Sequence, residues 1–293
     1  MSRKIIDYKT PFGRFKQIAR YYPEIIPVLS EGDSWFSYPL VGNNLMDHLV
    51  VKFGGAVNYF RLESSGHTAL DMFSDCDSGQ LEKLAELVED FSVPLVLISA
   101  GGNDIVGEDL DFLLDAATQP DDVNTLLNSA NLQTRFDDIK LSYQRMIDCL
   151  LAANTNIRIL AHSYDYPVVS GQAAPVTINS IGLAAPLINF LGEIGPWMQP
   201  YLQSKGLTDA AAQQQFSDRL IDTFHDNVLI PLKQQNPCFD FVDMRGTLQK
   251  QLSLWNDEIH PTNDGFALLT EVFWSSLQPL LVNIFQNRQT NGN

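Results

Sequence analysis

The 293-residue chain carries a formal net charge of −16, with 45% hydrophobic and 18% charged residues and no low-complexity tract. That is the composition of a globular protein with enough apolar residues for a sizeable core. The excess of carboxylates argues against nucleic acid, whose phosphates need clustered Lys and Arg, and against anionic membrane surfaces.

The charge is uneven. Residues 1–25 hold six basic residues (Arg3, Lys4, Lys9, Arg14, Lys16, Arg20) against Asp7 and Glu24, while the remainder has 13 basic and 33 acidic residues. Residues 1–24 are therefore read as a basic arm lying across the protein's own acidic surface. No apolar stretch of about 7–15 residues follows Lys4 to make a secretory signal. Nor is there an uninterrupted apolar run of about 18 residues, so no membrane-spanning helix is expected. The expectation is a cytoplasmic protein, with leaderless export as the other route. Cys76, Cys149 and Cys238 are an odd number at wide spacings, neither a disulfide framework nor a CxxC motif, and are expected to be buried or free thiols.

Five short apolar runs read as strands: Ile25 to Ser30, Val57 to Leu62, Leu95 to Ser99, Ile157 to Ala161 and Phe239 to Val242. Helix-length segments separate them, the pattern of a parallel α/β sheet covered on both faces. Pro27 and Pro94 stand near strand starts, where a missing N–H is tolerable. A helix is predicted after Thr134, its N-cap, with Phe136, Ile139, Tyr143, Met146, Ile147 and Leu150 on one face. The last helix is predicted from Asn263 or Asp264, carrying Phe266, Leu269, Phe273 and Leu277 on one face, with Pro279 bending or ending it. The expected organisation is one domain over 25–287, with insertions at 106–131 and 170–235 and a polar tail at 288–293. The second insertion contains Gly182, Pro186, Gly192, Gly195, Pro196 and Trp197, a composition suited to a hinged helical cap or to extra core-packing helix.

Ligands of an open parallel sheet bind outside the carboxyl ends of its strands. Four sequence pieces fall there: Gly32-Asp33-Ser34-Trp35 after the first strand, Ser65-Gly66 after the second, Gly101-Gly102-Asn103-Asp104 after the third, and Asp257-Glu258-Ile259-His260-Pro261 after the fifth. A serine hydroxyl must give up its proton to attack, and neutral imidazole accepts it near neutral pH. Ser34 is then the candidate nucleophile and His260 its base, with Asp257 fixing the tautomer. The N–H groups of Ser34 and Gly66 and the amide of Asn103 are candidate donors to an oxyanion.

On these four pieces the chain resembles the SGNH hydrolase superfamily, the GDSL-type esterases and lipases, from Gly32 to His260. The resemblance implies a flavodoxin-like three-layer α/β/α sandwich with strand order 2-1-3-4-5. It also implies Ser34, Asp257 and His260 as a triad, with Ser34, Gly66 and Asn103 as the oxyanion hole. Trp35 departs from the leucine of the name-giving motif and is expected to pack beside the nucleophile and narrow the pocket. Asp33 is expected to brace its loop and Asp104 to cap the helix that follows it.

Further candidates for the pocket are His67, Asp165 of the His162-to-Pro167 turn, and Trp255. A small-molecule, lipid or carbohydrate ester is the substrate so implied, with no cofactor or metal. Motifs for nucleotides, zinc proteases or a GxSxG elbow are absent. Two other readings remain: a hydrolase fold kept as a binding module, and a metal-dependent phosphoesterase, for which five histidines with no HxH or DxH pair are poor material.

Overall fold

The computed structural model describes residues 11–174 and 195–291. Five parallel strands, β1 (Ile26–Gly32), β2 (Val57–Arg61), β3 (Leu95–Ser99), β4 (Arg158–His162) and β5 (Phe239–Val242), form one sheet in the order β2-β1-β3-β4-β5. Strand positions match the apolar runs to within two residues. All of β1 and β3 is buried, because parallel strands are covered on both faces and read as continuous apolar runs. Pro27 sits where β1 pairs with β2 at Asn58, one residue before pairing with β3 begins at Val28.

The helices are α1 (Phe12–Tyr21), α2 (Ser34–Ser37), α3 (Leu45–Phe53), α4 (Ala69–Met72), α5 (Gly79–Asp90), α6 (Glu108–Leu113), α7 (Val123–Leu127), α8 (Ala130–Ala153), α9 (Gln199–Ser204), α10 (Ala210–Phe224), α11 (Ile230–Gln235) and α12 (Asn263–Asn291). With α3 against α12 and α5 against α8, they flank the sheet as a three-layer α/β/α sandwich.

Several expectations change here. Helix α8 begins at Ala130, one turn before Thr134, which lies inside it and returns its hydroxyl to Ala130 O at 2.9 Å. Pro279 does not end α12, which runs on to Asn291 through most of the supposed tail. By length and composition alone α12 could cross a membrane. Here Phe266, Leu269, Phe273 and Leu277 are buried, and the helix packs on α3 and β1. Residues 12–21 of the basic arm form α1, which packs on β2 and inserts Phe15 among Phe60 and Phe91. Residues 1–10 and the cap positions Gly182, Pro186 and Gly192 lie outside the described residues.

Cys76 and Cys149 are joined in a disulfide with Cα atoms 6.0 Å apart, which overturns the free-thiol expectation for that pair. Sequence spacing misled because α4 and α5, which flank Cys76, both pack on α8, which carries Cys149. Cys238 is a free thiol.

The two long connections meet each other. Gly107 N–H donates to Trp197 O at 2.9 Å and Ala117 N–H to Lys205 O at 2.7 Å, while α10 packs on α7.

Candidate active site

At the end of β1 the chain must pass close to β3. A Cβ on Gly32 would lie 2.5 Å from Ser99 O, so only glycine fits. Asp33 then caps α2, accepting the Trp35 N–H at 3.0 Å, and Ser34 becomes the first residue of that short helix. Burial pushes the Asp33 carboxyl up, against the hydrogen bonds from Ser99, Tyr164 and the Trp35 N–H.

Those partners form a chain behind the serine. Tyr164 N–H donates to His162 Nδ1 at 3.2 Å, which leaves His162 Nε2–H to donate to Ser99 Oγ at 2.9 Å. Ser99 Oγ donates in turn to Asp33 Oδ1 at 2.6 Å. Burial pushes His162 down to about 3, so its ring is neutral. The Tyr164 hydroxyl donates to Asp33 and accepts the Gly102 N–H at 3.0 Å.

On the other side, His260 Nε2 lies 2.8 Å from Ser34 Oγ, and Nδ1 lies 2.9 and 3.0 Å from the two Asp257 oxygens. Asp257 and His260 share a tight loop, closed by the Trp255–Pro261 bridge and by Asn256 N–H donating to His260 O at 2.8 Å. Asp257 Oδ1 also accepts the N–H groups of Ile259 and His260. The Tyr38 hydroxyl donates to Oδ2 at 2.7 Å, and its ring stacks on His260 with centroids 3.8 Å apart. Burial would raise the Asp257 carboxyl. Electrostatic attraction to His260 and the hydrogen bonds from His260 and Tyr38 outweigh that and hold it below the usual range, hence ionised.

Ser34, Gly66, Asn103 and His260 line one cleft of about 240 Å³. Gly66 reaches it with φ +86°, a left-handed conformation that suits glycine. Among the described residues, the N–H groups of Ser34 and Gly66 have no acceptor within the protein. The Asn103 amide donates one hydrogen to His67 O at 2.9 Å, which fixes its plane and leaves the second.

The other sequence candidates sit elsewhere. Trp35 is buried behind Ser34, donating Nε1–H to Ile259 O at 3.1 Å, and lines a second, smaller cavity rather than the cleft. His67 does not line either cavity; its ring faces Glu31, and its contribution is the carbonyl that holds Asn103. Asp165 lies outside both as well. It accepts the N–H groups of Tyr166, Gly246 and Leu248 and so ties the turn after β4 to the loop after β5. Trp255 packs edge-on against Trp35 in the core. Asp104 does not cap the helix after it: its carboxylate accepts the Ala69 and Leu70 N–H groups and caps α4, beyond Gly66. Burial raises it to about 6.

Contributors that the sequence candidates did not include stand on the cleft side as well. Tyr38 carried no motif. Glu258 lies inside one but points away from the triad, accepting the N–H groups of Gly171, Met198 and Gln199. It thereby fixes Trp197, whose ring stands edge-on to His260 with centroids 5.9 Å apart and walls the cleft. Among the described residues no cluster of three His, Cys, Asp or Glu side chains is grouped as metal ligands.

No protein-family model matches the chain, and no curated protein matches it in sequence. A solved structure does match: the lipase Lip_vut3 from goat rumen metagenome, with a TM-score of 0.52 at 12% identity over 85% of this chain and 96% of that one. The two chains share a fold. An extracellular lipase from Streptomyces rimosus (TM-score 0.47, 14% identity, 85% and 99% covered) is also similar. So is a carbohydrate esterase family 3 protein from Talaromyces cellulolyticus (TM-score 0.46, 14% identity, 88% and 99% covered). At such identities the likeness speaks to architecture, and the chemistry rests on the side chains.

Proposed function

We propose that this protein is a serine hydrolase that cleaves carboxylic esters through an acyl-enzyme. The observation that carries the reading is the linear array Ser34 Oγ, His260 and Asp257, each link 2.8 to 3.0 Å, opening on a cleft with unengaged N–H donors.

In the first half-reaction Ser34 Oγ attacks the carbonyl carbon while its proton passes to His260 Nε2. The imidazolium is stabilised by Asp257, an anion held in place by Tyr38 and two backbone N–H groups. The carbonyl oxygen, now an oxyanion, is met by the N–H groups of Ser34 and Gly66 and the free amide hydrogen of Asn103. Collapse breaks the ester C–O bond, and the proton on His260 goes to the departing alcohol. Water then repeats the sequence on the acyl-enzyme, giving its proton to His260, and releases the acid and the Ser34 hydroxyl.

Support also comes from the shared fold with a lipase. The direct test is turnover of p-nitrophenyl acetate by EDTA-treated protein. Turnover that survives EDTA and disappears in Ser34→Ala is expected. Turnover that depends on added metal and survives in Ser34→Ala would overturn the reading in favour of a metal-dependent hydrolase.

A further inference from the structure

Ser34 stands between two cavities of unequal size. The cleft of about 240 Å³ is lined by His260, Gly66, Tyr38 and Trp197. A second cavity of about 30 Å³ lies on the other side of the serine, lined by Trp35, Ile105, Tyr164, Pro167 and Ile221. Ser34, Asn103, Val106 and Ile259 belong to both, so the two meet at the nucleophile.

The chemistry assigns each cavity a part of the substrate. His260 must protonate the leaving alkoxide, and His260 lines the large cleft but not the small cavity. The alcohol therefore departs through the cleft. With the carbonyl oxygen turned to Gly66 and Asn103, the remaining substituent of the carbonyl carbon, the acyl chain, is directed the other way. An apolar cavity of about 150 Å³ holds a benzene ring, so one of about 30 Å³ has room for little more than an acetyl methyl. Its walls are buried: Ile105, Tyr164, Ile221 and Trp35 are each no more than 5% exposed. Tyr164 is fixed through its hydroxyl, and Trp35 through its indole N–H.

We infer that the small cavity selects the acyl group and that the substrates are acetyl esters of larger, neutral alcohols. The inference rests on the serine-hydrolase reading of the same site. Ile221 is the main specificity residue, because it belongs to α10 in the long connection between β4 and β5 and lines the small cavity but not the cleft. Glu108 and Asp109 at the cleft mouth disfavour an anionic alcohol.

The experiment is kcat/KM for p-nitrophenyl acetate, butyrate and octanoate in the wild type, Ile221→Ala and the milder Ile221→Val, with fluorophosphonate labelling of Ser34 alongside. One surplus methylene in an apolar pocket costs roughly 10- to 200-fold. Butyrate should therefore fall at least about tenfold below acetate, with octanoate lower still. Ile221→Ala should raise the butyrate-to-acetate ratio about tenfold, and Ile221→Val should raise it less. A wild type that turns over butyrate or octanoate as well as acetate, while Ser34 labels, overturns the acyl assignment and leaves the hydrolase reading standing. So does a ratio unchanged in a folded Ile221→Val and Ile221→Ala pair. No labelling and no turnover of any ester removes the reading beneath it, and the inference with it.

Discussion

Behind Ser34 lies sheet, and in front of it lie the long connections; the two sides are held by different means. On the sheet side Asp33, Ser99, His162 and Tyr164 bond one another in a buried chain that starts at the ends of β1, β3 and β4. On the cleft side Trp197 and Val106 come from segments between strands, and Glu258 ties one of them to the histidine loop through backbone N–H groups. The first arrangement fixes where the oxygen nucleophile stands. The second shapes what can reach it. Reaction and choice of substrate are thus carried by different parts of the chain, and substitutions on each side should fail differently.

The largest effect is expected at the boundary between them. His260→Ala removes the base and should lower kcat by several orders of magnitude, judging from about 10⁶ for loss of one member of a serine triad. Asp257→Asn should cost less, and the reverse ranking in steady-state kinetics would contradict the roles given to the two residues. Asn103→Ala should lower kcat by roughly 10² to 10³ with little change in KM, since its amide meets charge that exists only in the transition state. A KM effect alone would move Asn103 from the oxyanion to ground-state binding.

On the sheet side the expected damage is to stability. Folded His162 stays neutral down to about pH 3, whereas in the unfolded chain it protonates near 6.5. As pH falls below about 6.5 the unfolded state gains protons that the folded state does not, so stability drops with acid until about pH 3. Between about pH 7 and pH 4 this amounts to roughly 3 kcal/mol. His162→Gln can still donate to Ser99 but does not titrate. The gap between wild type and variant in urea unfolding should therefore change by an amount of that order over the same range. The smallest effect belongs to the cleft side: Trp197→Ala removes apolar wall and should raise KM several-fold with kcat nearly kept.

The same division explains what the sequence disclosed. The strand positions, and the arrival of Ser34, Gly66, Asn103 and His260 at one sheet edge, follow from short-range signals: an apolar run, then a glycine turn, then a polar residue; the strand order is what the family resemblance implied. Tyr38, Glu258 and Ile221 carry no such signal, because their roles arise from contacts with residues far along the chain. Asp104 shows the limit sharply. Its position after a strand suggested a cap for the next helix, but the N–H groups it meets are those of Ala69 and Leu70, 35 and 34 residues earlier. Cys76 and Cys149 are a similar case, brought together only by helix packing. Trp35, the odd letter of its motif, was legible as packing beside the nucleophile, while the cavity that it lines together with Ile221 became visible only in the structure.

The most direct measurement is covalent labelling of the folded protein at neutral pH with a small fluorophosphonate, read by peptide mass spectrometry. The account predicts one adduct, on Ser34, lost in His260→Ala. A folded protein that takes no label, or takes it on another serine, would contradict it.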